Sequence, residues 1–301
     1  MKKIILIILF IATCFLFADD VMLDYSFPYD KLNYLYYIEH AVPPRSLHPK
    51  ISALYWFYIS SEALDSSGHR DDEYSDYSTY SQNWIVPAFA FGAGDVLELG
   101  LAIPILMEVV EARTGAVKDA SSSGVGDILI WAKASVTEYP RFGFRLAVKL
   151  PSGDDEFSQG NIPTGTGQTD FDFGLQFSHH PEKMGFMSDI SVGYRLRLEG
   201  EKNNIPYKPG SEGRLGIYTG GMPIEGFGIL FGGDGFISFN DEYDGEESIQ
   251  SYRATAMIGV KIFYITRIGL KFDAGFKTDI AGKDVPAGNG FSLSASFEPK
   301  L

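Results

Sequence analysis

Cysteine is nearly absent: the one thiol in 301 residues is Cys14. It lies in an apolar run from Ile4 to Phe17, after Met1-Lys2-Lys3 and before Ala18-Asp19-Asp20. A short basic head, an apolar stretch and a small residue ahead of an acidic start describe a secretory signal over residues 1–18. Cleavage after Ala18 leaves a chain with no thiol, which excludes disulfides and thiol catalysis. Ile11-Ala12-Thr13-Cys14 also admits a lipoprotein box, for which Thr13 and Phe15-Leu16-Phe17 are poor neighbours.

Long apolar runs are missing as well. The leader's run is about fourteen residues, against about twenty for a helix that spans a bilayer, and no later stretch approaches that length. Basic residues are few: 25 Lys and Arg face 39 Asp and Glu, a net charge of −14. Without Lys2 and Lys3 the remainder carries −16, so phosphate backbones are repelled and nucleic acid is excluded as a partner. There is no Gly-x-Ser-x-Gly elbow, no Walker loop and no His-Glu-x-x-His. His40, His48 and His69 are isolated, and His179-His180 stands beside Pro181 in a short solvated turn with no Cys, Asp or third His at ligand spacing. The expectation is a protein that is not an enzyme and needs neither metal nor cofactor.

What the chain does have is alternation. In 169–178, Phe171, Phe173, Leu175 and Phe177 point one way, Asp170, Asp172, Gly174 and Gln176 the other. Successive side chains of a strand face opposite sides, so the segment is oily on one face and wet on the other. The same arrangement recurs in 141–151, 185–199, 250–264, 267–279 and 289–297, and further strands are expected at 51–61, 82–92, 95–108, 124–137, 211–221 and 226–239. Between these twelve segments the connections run 20, 2, 15, 3, 17, 6, 11, 4, 10, 2 and 9 residues. Long and short alternate throughout. A soluble sandwich or lipocalin has no reason to keep every second turn short, whereas outer-membrane barrels pair long outside loops with short periplasmic turns. The predicted fold is therefore all-β, a transmembrane antiparallel β-barrel of about twelve strands over residues 51–301.

Charges at bilayer depth cost about 2–4 kcal/mol when Lys or Arg faces lipid at the midplane, so the wet face must look into the lumen. That register places Glu98, Asp127, Lys133, Arg145, Lys149, Asp170, Asp172, Arg195, Arg197, Arg214, Asp234, Arg253, Lys261, Lys271, Asp273 and Lys277 inside. Their mixed signs point to ion pairs that fill a narrow barrel, or to a charged constriction that selects solutes. Residues 19–50 carry Tyr25, Tyr29, Tyr34, Tyr36 and Tyr37 with Pro28, Pro43 and Pro44; this periplasmic segment either plugs the lumen or hangs as a tail. Pro87 and Pro104 fall in neighbouring strands, where proline cannot donate to the ladder. Pro104 is expected near the outer end of its strand, as a terminator, with a lateral opening as the alternative. The acidic excess gathers in the loops, at Glu62, Asp65, Asp71, Asp72, Glu73 and Asp76 and at Asp241, Glu242, Asp244, Glu246 and Glu247. These are expected to be solvated, although carboxylates also suit divalent cations.

Three glycine-rich motifs stand in the middle of the chain: Gly124-Val125-Gly126-Asp127-Ile128, then Lys149-Leu150-Pro151-Ser152-Gly153-Asp154, then Gly165-Thr166-Gly167-Gln168-Thr169-Asp170-Phe171. Together with Asp95-Val96-Leu97-Glu98-Leu99-Gly100, they make residues 80–180 resemble the outer-membrane proteins associated with the phenol meta-cleavage pathway, distant relatives of FadL-type transporters. The resemblance implies passive uptake of small hydrophobic or aromatic compounds across the bacterial outer membrane, and an N-terminal hatch. A general polar porin and a non-conducting structural or adhesive barrel are the alternatives. The expected partners are outer-membrane lipid, a small hydrophobic molecule and the barrel-assembly machinery, with Phe297 as the terminal aromatic that machinery recognises.

Overall fold

The computed structural model describes residues 49–64, 70–71, 77–93, 96–112, 119–137, 140–155, 162–180, 184–202, 205–248, 252–283 and 285–298. The expected signal and the plug tyrosines, Tyr25, Tyr29, Tyr34, Tyr36 and Tyr37, lie outside these residues. Twelve antiparallel strands form one ring: β1 (Pro49–Leu64), β2 (Tyr77–Ala93), β3 (Leu97–Ala102 and Ile105–Ala112), β4 (Ala120–Val125 and Ile128–Ser135), β5 (Arg141–Leu150), β6 (Asp170–His179), β7 (Gly185–Arg197), β8 (Glu212–Ile224), β9 (Phe227–Ser238), β10 (Ala254–Ile265), β11 (Leu270–Lys283) and β12 (Val285–Phe297). Each strand pairs with its neighbours in sequence, and β1 pairs with both β2 and β12, so the sheet closes without a free edge over the barrel body.

The side-chain distribution is that of a membrane barrel. Phe144, Phe173 and Leu293 are 49%, 47% and 59% exposed, whereas Lys133 and Arg195, on the opposite face of their strands, are 1% exposed. In water this arrangement would be inside out; against lipid tails it places every apolar belt residue in its own solvent. β2 and β3, β4 and β5, β6 and β7, β8 and β9, and β10 and β11 succeed one another at one end, where β1 starts and β12 ends. β1 and β2, β3 and β4, β5 and β6, β7 and β8, and β9 and β10 succeed one another at the other end. We call these the turn end and the loop end. Above the loop end of the ring, 198–211 and 239–253 contribute Gly200–Lys202, Ile205–Lys208, Glu242–Tyr243 and Glu246–Glu247 to a separate four-stranded sheet.

Three departures from the expected strands have local causes. The anticipated nine-residue loop at 280–288 is strand almost throughout: β11 stays paired with β10 up to Lys283 and β12 with β1 from Val285, while β11 and β12 pair with each other only as far as Thr278 and Asn289. A register shift between Ala256 and Met257 and another between Ser60 and Glu62 let the two strands part, and such shifts hide alternation from a sequence. Asp279 staples the parting point, accepting from the Tyr58 hydroxyl at 2.8 Å, the Thr255 hydroxyl at 2.9 Å and the Gly288 amide at 2.9 Å. Secondly, β2 begins at Tyr77 and lengthens the wall at the loop end beyond the expected start.

Thirdly, Pro104 is not a terminator. The strand resumes at Ile105 and continues to Ala112, with inward burial at 102, 104, 106, 108 and 110 unbroken through the proline. The partner strand absorbs the defect. Opposite Ile103 and Pro104, β4 holds three residues, Gly126, Asp127 and Ile128, between the pairs Ile105 with Val125 and Ala102 with Leu129. This bulge re-aims the chain so that Asp127 turns inward. The ladder continues on both sides of the break, through Ile103 N to Pro87 O at 3.1 Å and Gly126 N to Pro104 O at 2.8 Å. The prolines therefore bend the wall without opening it.

Candidate functional site

The lumen has two kinds of wall. The first, on β3 to β11, is ionic. Among the residues expected inside, Glu98 pairs with Lys133 at 3.3 Å and accepts the Trp131 indole N–H at 2.7 Å. Lys149 lies between Asp127 at 3.3 Å and Asp170 at 2.9 Å. Asp172 is shared by Arg145, in direct contact, and Arg195 at 3.6 Å. Asp234 takes Lys277 at 2.6 Å and the Tyr218 hydroxyl at 2.5 Å. Arg253 faces Asp241 at 3.4 Å, and Lys271 faces Asp273 at 2.9 Å. Lys271 is half-buried near the turn end; the others are buried. Lys261 borders a void of about 10 Å³ with Asp189, Ser191, Gly216, Tyr218 and Leu230, room for one water.

The register also brings in a residue that the sequence reading passed over. Glu212 sits between Arg197 at 2.7 Å, Arg214 at 2.9 Å and Arg195 at 4.0 Å. Glu212 and Arg214 are two apart on one strand, so period-two alternation put them on one face. The second wall was harder to see. Leu54, Trp56 and Tyr58 of β1, Trp84, Val86, Ala88 and Ala90 of β2, Leu106 and Val110 of β3, and Leu129 and Trp131 of β4 form one buried apolar cluster inside the ring. Gly100 makes room for Trp131: a Cβ there would strike the indole. Glu108 is buried in this wall, accepting from Gln82 at 3.0 Å and the Trp84 indole at 3.1 Å. The lumen is thus aromatic along β1 to β4 and charged around the rest.

The three glycine-rich motifs meet where the two walls join. Between β5 and β6, the described residues 151–155 and 162–169 pack against β4, and Ile162 is fully buried against the aromatic wall. Asp127, aimed inward by the bulge, accepts from Gly153 N at 3.1 Å, Thr166 N at 3.0 Å and the Thr166 hydroxyl at 2.7 Å. The Thr164 hydroxyl donates to Val125 O at 3.1 Å and accepts from Asp154 N at 3.1 Å. Ser152 bridges Gly126 O at 3.0 Å and Ile128 N at 2.9 Å. Gly153 and Gly165 touch backbone to backbone, and a Cβ on Gly153 would come within 2.6 Å of Gly165. The motif residues are thus one latch that holds this connection across the loop end of the lumen.

The sequence matches, over residues 70–295, the family described as "Putative MetA-pathway of phenol degradation". The chain belongs to that family. The matched span runs from the approach to β2 to within two residues of the end of β12 and contains every residue of the latch. No curated protein matches the chain. Among solved structures, an outer membrane channel from Pseudomonas putida F1 is similar at 14% identity, with a TM-score of 0.74, over 86% of this chain and 97% of that one. The translocator domain of the autotransporter NalP from Neisseria meningitidis follows at 7% identity and a TM-score of 0.49 (84% of this chain, 89% of that one). A FadL homologue from Pseudomonas aeruginosa stands at 9% and 0.41 (84% and 90%). The closed twelve-strand ring, its apolar belt and the first of these likenesses make the chain a bacterial outer-membrane barrel.

Two local expectations need correction in this frame. The turn at His179-His180 is not simply solvated, because His180 Nε2 lies 2.9 Å from both carboxylate oxygens of Asp189. In the loop sheet Asp241 turns inward, accepting from Gly210 N at 2.7 Å and the Tyr207 hydroxyl at 3.0 Å. Burial pushes that hydroxyl above the ordinary tyrosine range, with Arg253 working against the shift and Asp241 for it. Glu242 meets Lys208 at 2.9 Å across the two central strands of the same sheet, with both side chains exposed.

Proposed function

We propose that this barrel is a passive transporter, not an enzyme, that lets small hydrophobic or aromatic molecules cross the outer membrane. The observation that carries it is the aromatic wall. A polar-solute channel has no use for Trp56, Tyr58, Trp84 and Trp131 on the inside of its strands, where each displaces water that a polar solute needs. An aromatic solute gains from them, since ring pairs contribute about 0.5–1.5 kcal/mol beyond buried area. Membership of a family described by phenol degradation, and the likeness to an outer membrane channel, support the same reading. The buried charges of β3 to β11 are proposed as the opposite face of the solute path, with Glu98, Lys133, Arg145 and Lys149 nearest the aromatic wall. Phe297, the last residue of β12, is proposed as the aromatic read by the assembly machinery.

The direct test is ligand protection of the refolded protein against heat unfolding, over phenols, alkylbenzenes, fatty acids and sugars. Protection by the aromatic compounds and none by sugars is expected. A flat response across the panel sinks the transporter reading and leaves a structural barrel; protection by sugars alone points to a polar porin.

For residues 19–50 we propose the role of a plug, carried by Tyr25, Tyr29, Tyr34, Tyr36 and Tyr37. Deleting the segment should then raise single-channel conductance in a planar bilayer severalfold. An unchanged current from properly inserted protein eliminates the plug.

A further inference from the structure

We propose that Arg145 is an anion subsite on the lumen wall, one that takes the carboxylate of a small aromatic acid. This rests on the transporter reading and narrows it to a class of solute. A guanidinium has five N–H donors. In Arg145 one nitrogen, Nη2, meets Asp172, while Nε and Nη1 are buried and meet no acceptor. Buried charged donors without acceptors are costly and rare, and here they stay in place because the wall is cut to hold them. Gly174 and Gly193, paired across β6 and β7, lie under the guanidinium. A Cβ on Gly174 would reach its central carbon at 2.9 Å, and one on Gly193 would reach Nη2 at 3.1 Å. The group is thereby laid flat along the wall by two glycines.

The carboxylates nearby are already engaged. Asp172 also serves Arg195, and Glu212 serves Arg195, Arg197 and Arg214. An incoming anion is the acceptor that suits Nε and Nη1 best, because a charge-assisted hydrogen bond is about twice as strong as a neutral one. The aromatic part of the solute rests on the transporter reading, and the aromatic wall begins on the strand next to that of Arg145. Arg145 pairs with Lys133, and the next pair on the same face is Ala147 with Trp131. This is the point where the ionic and aromatic walls meet.

Heat unfolding of the refolded full chain, titrated with sodium benzoate or with benzyl alcohol, tests the subsite. Benzoate is expected to raise the unfolding midpoint saturably, and R145Q to weaken its apparent Kd by roughly tenfold to a hundredfold, the worth of one hydrogen bond to a charged group. Benzyl alcohol should act on both proteins alike. Arg145→Lys guards against a folding failure of R145Q: it keeps the charge for Asp172 but lacks the Nε and Nη1 donors, so benzoate should weaken there too. Equal benzoate affinity in the variants overturns the subsite. So does equal protection by benzoate and benzyl alcohol in the unsubstituted protein, an outcome that leaves the transporter reading standing. Protection by neither compound removes both.

Discussion

Replacing Glu212 with alanine should cost the barrel about 3–5 kcal/mol, the usual loss when one member of a buried ion pair is removed. The folded, heat-resistant form should become a minor species after refolding. The carboxylate is 1% exposed and lies within reach of three guanidiniums, Arg195, Arg197 and Arg214. One of these, Arg195, also sits beside a second carboxylate, since Asp172 bridges Arg145 and Arg195. Removing one negative charge from this stripe leaves four guanidiniums around Asp172 in a confined space. Their repulsion is poorly screened there, unlike that of exposed charges at physiological salt. Glu212→Gln keeps the shape and one acceptor, and should fall between the two. An internal contrast is available in the loop sheet, where the Lys208–Glu242 pair has side chains 38% and 40% exposed. Glu242→Ala there should cost no more than about 1 kcal/mol. The measurement is the midpoint of heat-modifiable gel migration in urea. Matching midpoints for the two alanine variants would mean that water penetrates the lumen far enough to solvate the arginine stripe.

The same contrast explains what was legible in the sequence. Strands β5 to β8 carry apolar residues on one face and charged or small residues on the other, so a period of two named both faces. Arg145, Asp172, Arg195 and Arg214 followed directly from Phe144, Phe173, Tyr194 and Leu215. Strands β1 and β2 do not behave this way. Leu54, Trp56 and Tyr58 face inward while Tyr55 and Ile59 face lipid, and in β2 Val86 and Ala88 alternate with Ile85 and Phe89. When both faces are apolar the period disappears, and with it went the aromatic wall and the long start of β2. Pro104 misled for a different reason. Proline normally ends a ladder, but here a bulge on the neighbouring strand supplies the compensation, and nothing in the residues around 104 announces what lies opposite. Glu108 was recoverable, since it has the same parity as Glu98 and lies at the end of the expected 95–108 strand. The meeting of three glycine motifs lies beyond any local pattern, because it depends on contacts 26 and 39 residues apart.

That meeting point yields the second large effect. Asp127→Ala should release the connection 151–169 from the lumen while leaving the barrel folded. The carboxylate holds this connection by two backbone amides and one hydroxyl, and it neutralises Lys149 from the other side. Lys149 keeps Asp170 at 2.9 Å, so the variant does not strand a buried charge, which separates this case from Glu212. What is lost is local. Each hydrogen bond to a charged acceptor is worth about 1.5–3 kcal/mol, so opening of the latch should become at least about tenfold more frequent. Hydrogen exchange reads this at the amides concerned: Gly153 and Thr166 should exchange faster by that factor, while amides in the middle of β5 and β6 keep their protection. In a planar bilayer the variant should visit a larger conductance level than the unsubstituted channel, because the latched connection crosses the loop end of the lumen. Asp127→Asn retains an acceptor and the size of the side chain, so it should show the same changes in weaker form. Unaltered exchange at Gly153 and Thr166 in Asp127→Ala would mean that Thr164, Ser152 and the Gly153–Gly165 contact hold the latch by themselves. The motif aspartate would then serve the Lys149 ion pair alone.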